Sequence, residues 1–484
     1  MFNTTKNTKI VCTIGPASDN YETLTKLVHA GMACMRINFS HGSYDEHARK
    51  IALLHRVEAD EKVCIPIILD TKGPEIRTHC FSNGSATILD KSIIRVAMKE
   101  VLGTAEKFSV TFDMLYDDLK VGDYIKLDDG KLSLIVKEKD DKNKELICEA
   151  QNTHTIKDRR GVNIPGVHLS MPFISEKDRN DLIFGCEQDV DFIAASFIRS
   201  PEDVLEIRKI LTDNGHPNIK IISKIENQES LKVIDEIINV SDAIMVARGD
   251  LGVEIPAEDV PIVQRTLIKK CRDAGKPVIT ATQMLDSMVS NPNPTRAEVS
   301  DVATAVNESS DCVMLSGETA SGLYPVEAVQ MQAKIAAKME KYLDYEKLAQ
   351  EAYETSLKNN NDAIANSIAN TALLIGAKLI VCFTETGNTA MRISKARPCC
   401  PIVTITKSKK TANLCGLYWG VYATYIRSPQ MPNFIEEMEV LAVLKSLDYK
   451  IPAGSPVIVA GGTPTGSGNT NFMRIVYAPT LKDI

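Results

Sequence analysis

Short apolar runs alternate with helix-forming runs through most of the chain, and this alternation limits the fold more than any other feature of the sequence. Eight strand–helix units occur, on both sides of one interruption. Parallel units of that number favour an α/β fold whose strands close into a (β/α)8 barrel, with the active site at the carboxyl ends of the strands. The strands are predicted at Lys9–Gly15, Ala33–Phe39, Cys64–Leu69, Asp191–Phe197, Ile219–Ile225, Ala243–Val246, Pro277–Thr282 and Cys312–Leu315.

A different pattern interrupts the alternation. Short β-rich runs are separated there by hairpin-type dipeptides such as Asn83-Gly84 and Asp129-Gly130. We therefore predict a separate small all-β domain at 74–172, inserted after the third strand of a barrel that comprises 1–73 and 173–343. The runs that follow predict a smaller α/β domain with an open sheet at 344–484.

The composition excludes several classes of protein. The net charge of −7 over 484 residues argues against nucleic acid as a partner. The amino-terminal run MFNTTKNTKI has no apolar signal region, and no apolar stretch is long enough to span a bilayer. The twelve cysteines contain no Cys-x-x-Cys pair, which is typical of reduced thiols. We therefore expect a cytoplasmic enzyme that binds neither nucleic acid nor membranes.

Charged residues end the fifth and sixth predicted strands. Lys224 and Glu226 are two residues apart and therefore lie on the same side of the fifth strand. Asp250 follows Gly249 at the end of the sixth strand. Carboxylate oxygens suit a divalent metal, and Lys224 can face the negative charge that the metal leaves uncovered. The pattern indicates a metal and an anionic substrate, although strand-end charges that are merely solvated fit the spacing equally well.

Polar side chains end other strands too, and in a barrel they should converge. Their mixture of cations, carboxylates and hydroxyls suits a phosphorylated, carboxylate-bearing substrate held on a metal. Taken singly, His41, Thr282 and Ser316 also fit ordinary structural roles, and Glu318 fits an ion pair with a nearby cation. The converging residues are predicted to be Arg36, Asn38, Ser40, His41, Asp70, Thr71, Lys72, Lys224, Glu226, Arg248, Gly249, Asp250, Thr282, Gln283, Ser316 and Glu318.

Six runs of sequence carry a resemblance to one family: MRINFSHG at 35–42, LDTKGPEIRT at 69–78, ISKIEN at 222–227, MVARGDLGVE at 245–254, TATQML at 280–285 and MLSGETA at 314–320. With these runs in this order, the chain resembles the pyruvate kinases over essentially its whole length. The resemblance implies a TIM barrel, an inserted small β-barrel lid domain and a C-terminal domain for regulation and oligomerisation, typically in a homotetramer. It also implies the last step of glycolysis, in which phosphoenolpyruvate and ADP give pyruvate and ATP.

The resemblance assigns roles to the charged residues, with Mg²⁺ (or Mn²⁺) and K⁺ as cofactors. Arg36 and Lys224 would hold the transferring phosphoryl group, and Lys224 would also stabilise charge at the enolate oxygen. Glu226 and Asp250 would bind the Mg²⁺ or Mn²⁺. A second Mg²⁺ would arrive with ADP.

The resemblance also implies how the carboxylate of the substrate is held. The backbone at Gly249 and Asp250 and the hydroxyl of Thr282 would cradle it. Thr282 and Ser316, with water between them, are the candidates that protonate the enolate.

A monovalent-cation site and a nucleotide site follow from the same resemblance. Glu75 accompanies K⁺ dependence in the family, and Arg160 stands where the family commonly has lysine. The lid would close to bring Arg77 and Arg160 onto the nucleotide. The K⁺ ligands would be Asn38, Ser40, Asp70 and Thr71. The nucleotide-binding residues would be Asn38, Phe39, Ser40, His41, Arg77 and Arg160.

The C-terminal domain contains a candidate loop for a phosphorylated effector, which is also consistent with a tight strand-to-helix turn. Glu385 stands where responsive members often carry lysine, and Thr463-Pro464-Thr465-Gly466 replaces their Trp-Arg-Pro-Gly. We therefore predict weak or absent activation by fructose 1,6-bisphosphate; a sugar monophosphate or no effector also fits. The effector-loop candidates are Thr384, Thr386, Gly387, Asn388, Thr389, Ser467 and Gly468.

Two rival functions remain consistent with a barrel of this kind. A metal-dependent lyase or aldolase acting on pyruvate or oxaloacetate would need Glu226 and Asp250 but not the lid arginines or the K⁺ loop. A catalytically silent binding protein would have lost at least one of Arg36, Lys224, Glu226, Asp250 and Thr282, and all five are present.

Overall fold

The structure, a computed structural model, describes residues 6–426, 434–463, 468 and 470–479. Eight parallel strands form a closed barrel in which neighbours follow chain order and the first strand pairs with the eighth, so the predicted fold is confirmed. The first to eighth barrel strands are Lys9–Thr13, Cys34–Asn38, Ile67–Asp70, Phe192–Ala195, Lys220–Ile225, Ala243–Ala247, Val278–Ala281 and Cys312–Leu315.

Helices connect the strands around the outside of the barrel. The sequence predicts a helix from Tyr44 to about Glu61, and the helix Tyr44–Glu61 begins there because Ser43 and Glu46 form a reciprocal capping box. The sequence pattern predicts a single helix from Gln228 to Asn239, and this prediction is wrong, because two helices meet at Val233 there. The helices of the barrel are Tyr21–Ala30, Tyr44–Glu61, Glu176–Glu187, Pro201–Asp213, Gln228–Lys232, Ile234–Val240, Arg248–Glu254, Val260–Ala274, Arg296–Asn307, Gly317–Ala320 and Pro325–Met339.

The inserted segment forms a seven-stranded sheet and a separate two-stranded sheet around its own apolar core. A bridge between Thr78 and Val110 joins the two edges of the larger sheet, which therefore curls towards a barrel. The strands are Ile76–Arg77, Ser85–Ile88, Ile93–Ala97, Lys107–Ser109, Tyr124–Leu127, Leu132–Asp140, Glu145–Ala150, His154–Lys157 and Gly161–Asn163, with one helix at Leu115–Asp118.

The C-terminal part is an open five-stranded sheet with helices against it. The sequence predicts four of its strands, at Lys378–Phe383, Pro401–Thr406, Val421–Tyr425 and Pro456–Ala460, but not the antiparallel edge strand Phe472–Tyr477. The strands are Leu379–Phe383, Ile402–Thr406, Val421–Tyr425, Pro456–Gly461 and Phe472–Tyr477, and the helices are Tyr345–Glu354, Asn360–Ile375, Asn388–Lys395, Lys409–Leu414 and Ile435–Asp448. Among the residues described, we find no helix with the length and apolar character needed to cross a membrane.

Apolar side chains fill the barrel interior. Val11, Ile68, Ile222 and Met245 are fully buried in this inner cluster. Leu417 of the C-terminal domain joins the cluster, and its carbonyl accepts a contact of 3.3 Å from the Cys312 thiol. The C-terminal domain therefore seals the amino-terminal end of the barrel, which leaves the carboxyl ends of the strands as the open face. All twelve cysteines are free thiols, as predicted.

Candidate active site

A buried network of opposite charges occupies the carboxyl ends of the second, third and fifth barrel strands. Arg36 donates from Nε to Asp70 Oδ2 at 2.6 Å. The ammonium group of Lys224 lies 3.1 Å from Asp70 Oδ1 and 3.0 Å from Glu226 Oε1. Residues that are far apart in the sequence therefore form one network, as the barrel predicts.

The network keeps its groups charged. Burial alone would lower the pKa of Lys224, but the charges of Asp70 and Glu226 raise it above its ordinary value. Burial would likewise raise the pKa of Asp70, but Arg36 and Lys224 lower it. The site therefore presents two fixed cations, Arg36 and Lys224, to an anionic ligand.

Ser196 belongs to this network and was missed in the sequence. Its hydroxyl accepts from Lys224 Nζ at 2.6 Å and donates to the Thr71 carbonyl at 2.7 Å. Ser196 directly follows the fourth barrel strand, Phe192–Ala195. This position at a strand end could have identified it as a site residue from the sequence. Ser196 fixes the direction in which the ammonium group of Lys224 points.

Two carboxylates provide oxygen ligands that suit a divalent metal. Glu226 Oε2 accepts from the Phe197 amide at 2.6 Å, which orients the group. Asp250 lies in the first turn of the helix Arg248–Glu254. Burial and the nearby charge of Glu226 raise the pKa of Asp250 to about 7. Carboxylate oxygens are hard ligands of the kind that Mg²⁺ and Mn²⁺ prefer, and a bound cation would relieve the repulsion between these two groups.

The turn after the seventh strand is held in a strained conformation. Thr282 and Gln283 have φ values of +65° and +55°, in the left-handed region that costs free energy for such residues. The Thr282 hydroxyl accepts from the Gly249 amide at 2.8 Å and donates to the Ala281 carbonyl at 2.7 Å. These bonds join the turn to the start of the Asp250 helix.

The prediction that Arg248 faces the pocket is wrong. Its guanidinium forms a two-point ion pair with Asp301, at 2.6 and 2.7 Å. It also donates to the carbonyls of Ala281 and Thr282, at 3.1 and 2.7 Å. Arginine can satisfy a carboxylate and two carbonyls together because its five donors point outward from one plane. Arg248 therefore supports the strained turn from behind.

Among the described residues, Glu318 binds backbone amides and forms no ion pair with a cation. Its two carboxylate oxygens accept from Leu285 and Ser316, at 3.1 and 2.7 Å. Burial raises the pKa of Glu318. The carboxylate thereby fixes the backbone of Ser316 directly after the eighth strand, and Ser316 itself is half-buried.

The loop after the second strand is buried at its base and exposed at its tip. The side chain of Asn38 accepts from the Ser40 amide at 3.0 Å. The Phe39 ring is buried and stacks on His47, with 4.1 Å between the ring centroids. Only the backbone of Phe39, and not its ring, is therefore available to a ligand. Ser40 and His41 are exposed, whereas Thr71 beneath them is buried.

Arg77 and Arg160 lie on the inserted domain. Arg77 pairs with Glu75 at 2.6 Å and donates to the Arg159 carbonyl at 2.8 Å. Lys72 lies 3.7 Å from Glu75. Arg160 lies 3.7 Å from Asp128, and its Nε finds no hydrogen-bond partner within the described part of the chain. Both arginines thus keep donors for further contacts.

The predicted effector loop is a tight turn between a strand and a helix. The Gly387 amide donates to Thr384 Oγ1 at 3.0 Å, and Gly387 has φ +88°. Thr389 and Thr470 share a hydroxyl hydrogen bond of 2.7 Å. Glu385 lies 3.6 Å from Lys407, while Thr386 and Asn388 are exposed. Of the second loop, Ser467 lies outside the described residues, and Gly468 has φ +80°.

Comparisons with known proteins agree with this arrangement. Residues 5–329 match the model of the pyruvate kinase barrel domain, and residues 362–476 match that of the pyruvate kinase alpha/beta domain. The chain is 50% identical over 471 residues to a pyruvate kinase of Bacillus licheniformis and 49% identical over 474 residues to one of Staphylococcus aureus, covering 97% of this chain and 80% of each relative. A crystal structure of a pyruvate kinase from Cryptosporidium parvum has a TM-score of 0.92 and 38% identity, covering 98% of this chain and 97% of that one.

Proposed function

Because the chain belongs to the pyruvate kinase family of phosphotransferases, we propose that it transfers the phosphoryl group of phosphoenolpyruvate to ADP, giving pyruvate and ATP. One observation carries this assignment: Lys224 is held between Asp70 and Glu226, beside Arg36 and Asp250. The reaction moves a phosphoryl anion from an enolate oxygen, so it needs fixed cations beside oxygen ligands for a metal. We assign the barrel to 1–73 and 173–343, the lid to 74–172 and the C-terminal domain to 344–484.

Arg36 and Lys224 hold the transferring phosphoryl group in this proposal. Glu226 and Asp250 would hold Mg²⁺ or Mn²⁺, which when bound neutralises charge on the phosphoryl and enolate oxygens. The Thr282 hydroxyl and the backbone at Gly249 and Asp250 receive the carboxylate of the substrate. Lys224 then stabilises the negative charge that develops on the enolate oxygen as the phosphoryl group leaves.

Proton delivery to the enolate is assigned to Thr282 and Ser316, with water between them. The Thr282 hydroxyl already donates to the Ala281 carbonyl, so that bond must be exchanged before its proton can move. Thr282→Ser and Ser316→Ala are expected to slow the protonation of enolpyruvate more than they slow phosphoryl transfer. Wild-type protonation rates in both variants would contradict the assignment.

The loop after the second strand and the lid receive the nucleotide. Exposed His41, the Phe39 backbone and the partly exposed side chains of Arg77 and Arg160 are available to its phosphates. Arginine at 160 keeps the charge of lysine and adds a forked donor, so phosphate binding should persist with altered geometry. Lid closure would also exclude water from the reacting groups.

The cofactor K⁺ would be bound by oxygens of Asn38, Ser40, Asp70 and Thr71. Buried Asp70 supplies the negative charge, and the half-buried Asn38 supplies a neutral oxygen. Glu75 lies outside this set and is consistent with K⁺ dependence through its charge.

The test measures pyruvate formation from phosphoenolpyruvate and ADP with Mg²⁺, first in K⁺ and then in Na⁺ or a bulky organic cation. Strong turnover only in K⁺ is the expected result. Turnover that ignores the cation would retain the reaction but contradict the K⁺ site. No turnover in any salt would favour the lyase or the binding protein, and release of CO₂ from oxaloacetate would identify the lyase.

Regulation, assembly and location complete the proposal. Glu385 is held by Lys407 at the turn where a phosphate would bind, which supports weak or absent activation by fructose 1,6-bisphosphate. A saturable shift of the phosphoenolpyruvate curve by micromolar fructose bisphosphate would contradict this. We also infer a homotetramer and a cytoplasmic location, because family members are typically homotetrameric enzymes of glycolysis. Light scattering in solution tests the oligomeric state.

A further inference from the structure

The lid contacts the barrel at the helix that carries Asp250. Lys126, on the lid strand Tyr124–Leu127, places its ammonium group 2.5 Å from the Val253 carbonyl. The last carbonyls of a helix have no partner inside the helix, and a cation is favourable at that end. A lid residue therefore satisfies the carboxyl-terminal end of the helix Arg248–Glu254.

A second contact joins the same helix to the chain that returns from the lid. Glu254 is only 8% exposed, and its carboxylate lies beside the Asn163 side chain and the Gly166 backbone, both of which favour its charged form. The Glu254 carbonyl accepts from Gln228 of the barrel at 2.7 Å. Burial outweighs these contacts and raises the pKa of Glu254 to about 7. The Glu254 carboxylate is therefore buried at the junction between this helix and the lid, beside Asn163 and Gly166.

The opposite end of the helix belongs to the candidate active site. Gly249 is bonded to Thr282, and Asp250 is the metal candidate beside Glu226. Seven residues span only about 10 Å along a helix, and hydrogen bonds within the helix make it move as one piece. A change in how the lid grips Val253 and Glu254 must therefore reach Asp250.

We propose that Lys126 and Glu254 are positioning residues that align the lid with the helix Arg248–Glu254. Lid closure and the placement of the metal-binding carboxylate of Asp250 are then one coupled event. The proposal rests on the proposed function and adds two residues that lie outside the reacting groups. The competing account is a static contact that holds the lid without affecting the metal end.

Kinetics of Lys126→Met provide the first test. Loss of the charged donor should raise the half-saturating concentrations of Mg²⁺ and phosphoenolpyruvate by about tenfold, as expected for a charge-assisted hydrogen bond, with kcat changed less than threefold. Lys126→Arg should restore both to within about threefold, because the charge and a donor remain. Lys137→Met is the matched control: Lys137 pairs within the lid with Glu149, at 3.8 Å, and should behave as wild type.

Hydrogen exchange separates coupling from simple loss of structure. In the wild type, Mn²⁺ with phosphoenolpyruvate should slow exchange in the helix Arg248–Glu254 and also in the lid strand Gly161–Asn163. In Lys126→Met, the helix should stay protected by the ligands while the lid strand is no longer protected. Wild-type kinetics together with wild-type lid protection in Lys126→Met would overturn the proposal.

A second variant covers the case in which Lys126→Met lowers the stability of the lid. Asn163→Ala removes a lid partner of Glu254 and leaves the barrel unchanged, and it should raise the same two half-saturating concentrations severalfold. Unchanged values in a folded Asn163→Ala protein would count against the coupling. An inactive wild type would contradict the proposed reaction instead, and the exchange experiment would still decide whether the lid and the helix are coupled.

Discussion

Replacing Lys224 by methionine removes the cation at the centre of the site and leaves its neighbours in place. Methionine keeps a similar unbranched chain, so the change is in charge more than in volume. Lys224 is 11% exposed, and its carboxylate partners Asp70 and Glu226 are 1% exposed. Removing one partner of a buried ion pair costs about 3–5 kcal/mol, and we expect the lower value because Arg36 still contacts Asp70. At 2–4 °C per kcal/mol, Tm should fall by about 6–12 °C.

The pH dependence of this loss follows from the direction of each pKa shift. The raised pKa of Lys224 means that its contribution to stability is complete below its ordinary value of 10.5 and is lost as pH rises through the folded value. The lowered pKa of Asp70 means that its contribution is present above 3.8 and is lost as pH falls through the folded value. Both contributions are therefore complete between pH 5 and 9 in the wild type. In the variant the unpaired carboxylates take up protons more readily, so the loss of Tm should be smaller at pH 5 than at pH 8.

Activity should fall far more than stability. Removing one group that stabilises transition-state charge lowers kcat by about 10²–10³-fold, so Lys224→Met should retain at most about 1% of wild-type turnover. The assay follows pyruvate formation at saturating Mg²⁺, K⁺ and ADP. Lys220→Met is the control, because Lys220 is on the same strand and its only described carboxylate partner is Asp242, at 3.3 Å. A Lys224→Met enzyme within tenfold of the wild-type kcat would refute the assignment of Lys224.

Three further predictions address the cation sites and the strained turn. Glu75→Lys should make turnover in a bulky organic cation equal to that in K⁺, because lysine supplies the missing charge. A strict K⁺ requirement in this variant would contradict the reasoning. Loss of the Glu75–Arg77 ion pair at 2.6 Å should also raise the KM for ADP. Burial and the charge of Glu226 raise the pKa of Asp250 to about 7, so protons compete with the metal below pH 7. The half-saturating Mg²⁺ concentration should therefore rise about tenfold per pH unit below pH 7 and level off above pH 8. A constant half-saturating concentration from pH 5.5 to 8 would be incompatible with this prediction. Arg248→Met should lower kcat/KM for phosphoenolpyruvate about 100-fold, because Thr282 loses the support for its φ of +65°. The KM for ADP should stay within twofold of the wild-type value. Equal losses for both substrates would point to general misfolding.

The sequence alone determined the barrel and most of its strand-end residues. Alternating apolar and helical runs are a local property of the chain, and eight such units in order have few ways to bury both faces of a parallel sheet. Short-range signals were equally reliable: the sequence predicts a capping box at Thr295 and Glu298, and the structure has it, because this signal acts within four residues. Arg36, Asp70, Lys224 and Glu226 met as predicted, because the carboxyl ends of neighbouring parallel strands share one rim.

Only the tertiary structure decided which way several side chains point and what they touch. Arg248 points away from the pocket because its guanidinium finds acceptors behind the site. These acceptors are the carboxylate of Asp301, 53 positions later, and two backbone carbonyls of the turn after the seventh strand. Ser196 completes the Lys224 network across a strand pairing that no local pattern specifies. Lys126 reaches Val253, 127 positions away, only after the inserted domain has folded and docked. Such contacts depend on distances between elements, which residue spacing along the chain does not encode, because folding sets them through packing of the whole molecule.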